Sequence, residues 1–296
     1  MAYDTSLFAD LDLARRLEGM HARRAALYAE ASQRLRPQTA SAVEQIGGGY
    51  AIYAGVDAPV NRAYGLGLHG PFSADDLKRL ERFYRERRLA PGAEVCPLAD
   101  ASLVERLGDA GYCLEGFFSV LVRATVGCEA QPGSCEAQPG SCGASPTGCA
   151  GQAPAGDGVR VTEIRPEQAE LWLETVAQGF ADEEPAPEAM RTIIAPNLHS
   201  ASALHFLAWI GDEPAGGGAI VMHAGVAELC SDSTRVAFRR RGVQAALLGA
   251  RLAATAAGGC DLALVLTEPG SASQRNVERA GFRLAYTKAV VRLAGY

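Results

Sequence analysis

Several features are scarce in this chain of 296 residues, and each scarcity removes a class of protein. No apolar run approaches the about 20 residues that cross a bilayer, so a membrane protein is not expected. The opening MAYDTSLFADLDLARRLEGM has early acidic residues and no uninterrupted apolar core, which argues against a signal peptide and for a cytoplasmic location. Basic residues are in the minority, 28 Lys and Arg against 34 Asp and Glu. A general nucleic-acid binder is thereby disfavoured, because backbone phosphates call for a wholly basic face. No G-x-G-x-x-G directly follows the first strand-like segment to open a helix, and no Gly-Lys-Ser or Gly-Lys-Thr occurs, so dinucleotide and P-loop folds lack their signatures in context. Closely paired zinc-type cysteines are also missing, and no metal is expected.

What is present suits a globular chain, with 48% hydrophobic and 21% charged residues and a mean hydropathy near zero. The length suggests two domains. Cys128, Cys135, Cys142 and Cys149 recur every seven residues within CEAQPGSCEAQPGSCGASPTGC, a decaying heptapeptide duplication. Each interval carries Pro or Gly and nothing apolar larger than Ala, so residues 124–157 read as a flexible linker between domains at 1–123 and 158–296. Cys96, Cys113, Cys230 and Cys260 stand singly and read as reduced, packed thiols.

The first domain is of mixed α and β type. A helical pattern over 6–35 closes at Pro37; strands are expected at GYAIYAGV, AYGLGL, AEVCPL and FFSVLVR, with helices opening at Ser73 and near Ala101. The glycines of GLGLHGP lack a cap and helix geometry suited to phosphate. The second domain orders more clearly: strand, helix after Pro166, second helix, two or three antiparallel strands joined at GDEP and HAG, loop, helix, buried strand CDLALVLTE, short helix, strand. The expected class is α/β with a mixed sheet.

RVAFRRRGVQAALLGARL raises the functional question. The helix beginning near Gly242 places Val243, Ala246, Leu247, Ala250 and Ala254 on one face. Arg239, Arg240 and Arg241 crowd cations against the positive pole of that helix, which is unfavourable unless an anion sits there. Gly242 and the small Ala245 and Ala246 leave room for one against the free backbone amides.

RRRGVQAALL resembles the coenzyme-A pyrophosphate loop of the GNAT superfamily of N-acetyltransferases. Arg239 and Gly242 match its pattern of Arg or Gln, two residues, Gly, one residue, Gly or Ala; Gln244 departs at the last position, with Ala245 just after. The element order and GSASQRNVERAGF are similar to the same family over about residues 158–296. This resemblance implies a GNAT-like acyl-CoA-binding fold there, acetyl-CoA as co-substrate and a small amine as acceptor. It further implies that Thr234 and Val236 pair with the pantetheine arm, that residues 239–246, Val243 among them, hold the pyrophosphate, and that Ser271, Ser273 and Asn276 lie near the arm or thiol.

The tyrosine that many relatives place four residues before the Gly-Phe glycine is Val277 here, so Tyr286 or the hydroxyl of Ser271 or Ser273 is the substitute acid, while Glu228 and Asp232 are the candidate bases. His205 and His223 read as packed or edge histidines. The first domain reads as a degenerate copy of the same fold, or as a domain that covers the acceptor cleft or mediates assembly. An N-acetyltransferase is therefore expected, the alternative being an acyl-CoA-binding regulatory or scaffold protein that has lost turnover; a homodimer is left open.

Overall fold

The computed structural model describes residues 8–125 and 158–295, so the cysteine repeat lies outside the described residues. In chain order the first half forms α1 (Leu11–Leu35), β1 (Ala42–Ile46), β2 (Gly49–Tyr53), β3 (Ala63–Tyr64), α2 (Ala74–Arg85), β4 (Gly92–Val95), α3 (Ala101–Asp109) and β5 (Tyr112–Ala124). The second forms β6 (Val159–Glu163), α4 (Ala169–Ala181), α5 (Glu188–Leu198), β7 (Ala203–Ile210), β8 (Glu213–His223), β9 (Val226–Thr234), α6 (Val243–Ala257), β10 (Leu262–Thr267), α7 (Ala272–Arg279) and β11 (Arg283–Leu293). Helix starts follow their caps: Asp10 accepts from the amide of Leu13, Asp100 from Ser102 and Ser271 from Gln274. Strand β1 escapes the sequence reading because its outward positions are exposed or half-exposed and its alternation is weak; Gly47 and Gly48, at φ of 53° and 79°, make the two-residue turn that folds it onto β2.

All strands join one 11-stranded sheet in the order β1-β2-β3-β4-β11-β5-β10-β9-β8-β7-β6. The halves interlock at its centre. Strand β5, from the first half, inserts between β10 and β11, and β11, from the second, inserts between β4 and β5.

The two-residue period of each strand sorts side chains to opposite faces. Val120 and Val122, with Leu262 and Leu264, meet Leu13, Leu17 and Met20 of α1, whereas Leu121 and Ala263 pack under α6 and α7. Helices α4 and α5 share the α1 face around Trp172 and Leu207, and α2 and α3 cover the other face of the first half around Phe72 and Phe83. Helix α1 thus spans both halves, and Tyr28 donates to the carbonyl of Ile193 in α5 at 2.8 Å. Among the described residues no helix is long and apolar enough to cross a membrane, and no cluster of His, Cys, Asp or Glu fits a metal. Cys96 and Cys260 are buried as expected, but Cys113 is exposed, because the start of β5 lies where its outward face has no covering helix.

Candidate functional site

Strands β9 and β10 run parallel and pair only through Leu262↔Val226, Ala263↔Ala227 and Leu264↔Glu228. Beyond that register they diverge, leaving the facing edges of Leu229–Thr234 and Val265–Thr267 unpaired with each other. A bulge in the β8–β9 ladder between Gly217 and Ala219 and a φ of 55° at Ser231 turn the end of β9 outward. The hydroxyls of Thr234 and Thr267, at the ends of the two splayed strands, are buried without a hydrogen-bond partner among the described residues.

Local sequence makes this bend feasible. A Cβ on Gly216 would lie 2.5 Å from the Ser233 carbonyl oxygen, and one on Gly218 would lie 3.0 Å from the Arg251 guanidinium. The triple glycine 216–218 therefore lets β9 and α6 approach β8. Arg251, fully buried on α6, donates from Nη1 to Asp232 Oδ2 at 2.7 Å and from Nη2 to Oδ1, fixing the carboxylate that follows the bulge. Gln244 donates to the same carboxylate at 3.4 Å, which ties the first turn of α6 to β9.

Thr234 leads through a short turn at Val236–Phe238 into the arginine loop. Gly242 is the N-cap of α6 with φ 81° and ψ 1°, and among the described residues no side chain caps that helix. Ala246 donates to the Gly242 carbonyl as the first helical bond, and among the described residues no protein acceptor takes the amides from Arg240 to Ala245. Val243 is buried in the core, which anchors this turn. The three arginines divide their work. Arg239 is bonded to Asp182, to the carbonyl of Gly179 at 3.2 Å and to that of Thr234 at 3.2 Å, so it pins the loop to α4 instead of standing free as the sequence suggested. Arg241 lies 5.6 Å over the Phe238 ring, and Arg240 takes a positive φ of 63°.

The corresponding helix start in the first half is chemically opposite. Gly65, Gly67 and Gly70 have the spacing of a phosphate loop, but Ser73 and Asp76 form a capping box at α2, and Asp76 also accepts from the Gly47 amide at 3.2 Å. Burial opposes ionisation of Asp76, yet these bonds hold its carboxyl below the ordinary range. An acid already fills that pole; among the described residues no acidic side chain caps the pole of α6.

A cleft of about 510 Å³ opens at the splay on the α1 side of the sheet. Its walls come from β9 and β10, from Ser273 at the start of α7, from α4 and α5, and from α1 and the segment 59–64 of the first half. Its floor is an ionic network that the sequence reading did not find. His21 Nδ1 lies 3.0 Å from Glu228 and Nε2 lies 3.2 Å from Glu94. Arg24 donates to Glu228 at 2.6 Å and Arg62 to Glu94 at 3.3 Å, while Lys288, one of only two lysines in the chain, lies 2.7 Å from Glu94 and 3.1 Å from Glu18. Burial and Lys288 oppose a charge on His21, but the flanking carboxylates of Glu228 and Glu94 outweigh them and raise its pKa. Burial likewise opposes ionisation of Glu228, yet Arg24 and His21 bring its pKa down to about 2. The signal that could have revealed these residues is charge on an apolar face: Glu18 and His21 sit beside Leu17 and Met20 on α1.

The predicted catalytic residues fare differently. Glu228 reaches the cleft floor but is locked by two cations and is a weak base at a pKa of about 2. Asp232 lines the cleft with its side chain 21% exposed. Tyr286 is not brought to the cleft; two strands away from β10, it donates to Glu18 at 2.9 Å, and burial beside that carboxylate drives its pKa far upward. Of the α7 residues, Ser273 reaches the cleft, Ser271 is spent as a cap and Asn276 lies outside the lining. Val277 is core. His205 is a packed histidine as expected, with Nε2 3.0 Å from the carbonyl oxygen of Asn197 and its pKa lowered by burial; His223 is exposed.

No protein-family model matches the sequence, and no curated protein matches it. Solved structures do share its architecture. A GCN5-related N-acetyltransferase from Kribbella flavida aligns at a TM-score of 0.61 and 17% identity, over 93% of this chain and 96% of that one. A tandem GNAT protein from the clavulanic acid biosynthesis pathway aligns at 0.54 and 14% identity, over 97% and 96%. A GCN5-related N-acetyltransferase from Sphaerobacter thermophilus aligns at 0.51 and 16% identity, over 78% and 71%. With its splayed parallel strands, its glycine-started helix and a likeness that spans both halves, this chain has the GNAT fold.

Proposed function

We propose that this chain transfers the acetyl group of acetyl-CoA to the amine of a small acceptor. The observation that carries the reading is the start of α6: a left-handed Gly242, unpartnered amides from Arg240 to Ala245, and cationic side chains, set where β9 and β10 part. Those amides, with Arg240 and Arg241, would hold a diphosphate. The open edge of β9 at Thr234 and the orphaned hydroxyls of Thr234 and Thr267 suit the amide groups of a pantetheine arm. Bound there, acetyl-CoA supplies a thioester-activated acetyl group. Ser273 and α7 flank the arm's end, and the cleft beyond receives the acceptor.

Asp232, held by Arg251 and open to the cleft, would take the acceptor's proton through water. The first half contributes the far wall of the acceptor cleft through α1 and segment 59–64. One observation favours a second reading: Val277 is core and Tyr286 is out of reach, so an acyl-CoA-binding module without turnover lacks the same acid.

Calorimetry with acetyl-CoA and thiol release with a panel of small amines separate the two. A Gly242→Val substitution forces a β-branched residue to φ 81°, which distorts the start of α6, and should weaken acetyl-CoA binding at least about tenfold. Unchanged affinity would overturn the site; tight binding without transfer to any amine would favour the second reading.

A further inference from the structure

The deep end of the cleft holds more positive than negative charge. Each ring nitrogen of His21 lies within 3.2 Å of a carboxylate oxygen, a setting that suits the doubly protonated ring with two N–H donors. Among the described residues, the network's anions are Glu18, Glu94 and Glu228, and its cations are Arg24, Arg62, Lys288 and the His21 imidazolium, one more than the anions. Asp232 and Arg251, at the other end, cancel each other.

The donors are not used up. Arg24 commits its Nε to Glu228, and among the described residues no protein group accepts from its Nη atoms. Arg62 commits Nη1 to Glu94, while its Nε is buried without a partner. Both side chains line the cleft, at 18% and 19% exposure, on opposite ends of the Glu94–His21–Glu228 row. Between them and the splay the walls are largely apolar, with Val60, Phe118, Ile193 and Val265. A surplus of one charge in a poorly solvated site matches a monovalent anion better than a phosphate dianion, and a planar guanidinium presents paired donors that fit a carboxylate.

We propose that Arg24 and Arg62 bind the carboxylate of the acceptor, so that the substrate class is a small amine that also bears a carboxylate, as amino acids do. This assignment rests on the acetyl-transfer reading for the word acceptor and on the cleft alone for the anion.

Its test compares lysine with cadaverine and tyrosine with tyramine, and adds phosphoethanolamine. Turnover is read as kcat/KM and binding by calorimetry on the CoA-loaded protein. The carboxylate-bearing member of each pair should be preferred by about tenfold or more, the range of a charged hydrogen bond. Arg62→Gln should collapse that ratio toward one, and Arg62→Lys, which keeps the charge beside Glu94 but loses the fork, should fall between; the lysine variant serves if the glutamine variant does not fold. Equal handling within each pair, a preference for phosphoethanolamine, or a ratio unmoved in both variants overturns the proposal. Carboxylate-selective binding without transfer to any amine upholds the anion site and removes the transferase reading. Transfer without carboxylate preference does the reverse.

Discussion

Replacing Lys288 by Met tests the ionic floor most directly. Lys288 is 1% exposed, and its ammonium lies between Glu94 at 2.7 Å and Glu18 at 3.1 Å. Methionine fills nearly the same volume, so little cavity cost is added and the effect isolates the charge. Glu94 keeps His21 and Arg62, but Glu18 keeps only the hydroxyl of Tyr286 and becomes an uncompensated buried carboxylate. Breaking one partner from a buried pair costs about 3–5 kcal/mol, a large part of the about 5–15 kcal/mol that holds a folded protein together. Thermal unfolding should fall by roughly 6–10 °C, at about 2 °C per kcal/mol for a chain of this size. A second change, Glu18→Gln, removes the stranded charge while keeping a group for Tyr286, and should return at least half of the loss. Urea and thermal unfolding of the two single variants and the double variant measure this as a coupling energy. A loss below about 1 kcal/mol for Lys288→Met, or additivity of the two changes, would refute the account of a charge-balanced floor.

Three further outcomes are expected. Tyr286→Phe removes a buried hydroxyl bonded to Glu18 and should cost about 1–2 kcal/mol in denaturant unfolding; kcat should stay within about threefold, and a collapse of kcat would return Tyr286 to the proton-donor role. Gly216→Ala sets a Cβ 2.5 Å from the Ser233 carbonyl and should destabilise the protein by about 1–3 kcal/mol while distorting the end of β9, seen as weaker acetyl-CoA binding by calorimetry. The network's share of stability depends on pH on both sides. Glu228, lowered from 4.5 to about 2, contributes fully above pH 4.5 and loses that contribution as pH falls toward 2. His21, raised from 6.5, contributes fully below pH 6.5 and loses that contribution as pH rises through its folded value. Denaturation midpoints should therefore form a plateau between about pH 4.5 and 6.5, which Glu228→Gln and His21→Gln would each tilt on its own side.

Local order fixes a large share of what can be read from the residues alone. Capping at Asp10, Ser73 and Asp100, the alternation of β7 to β9 and the glycine before Val243 act within a few residues of themselves, so their elements appear where short-range chemistry puts them. The same locality made the proposed diphosphate site legible, because a helix pole and its neighbours are consecutive in sequence. Arg239 marks the edge of that reading: its charge was visible, but its partner Asp182 is 57 residues away.

What only the tertiary structure decided lies at the centre of the sheet. Nothing in Tyr112–Ala124 or Arg283–Leu293 says that each will cross into the other half, since any long apolar strand pairs with any suitable edge. That exchange brings Lys288, Glu94 and Glu228 beneath one face of α1, from positions up to 194 residues apart by number, and makes a cleft floor from charges that look unremarkable one at a time. Sequence determined the bare, glycine-started helix pole because it is made by neighbours along the chain; the cleft depends on long-range strand order, which a linear pattern does not encode.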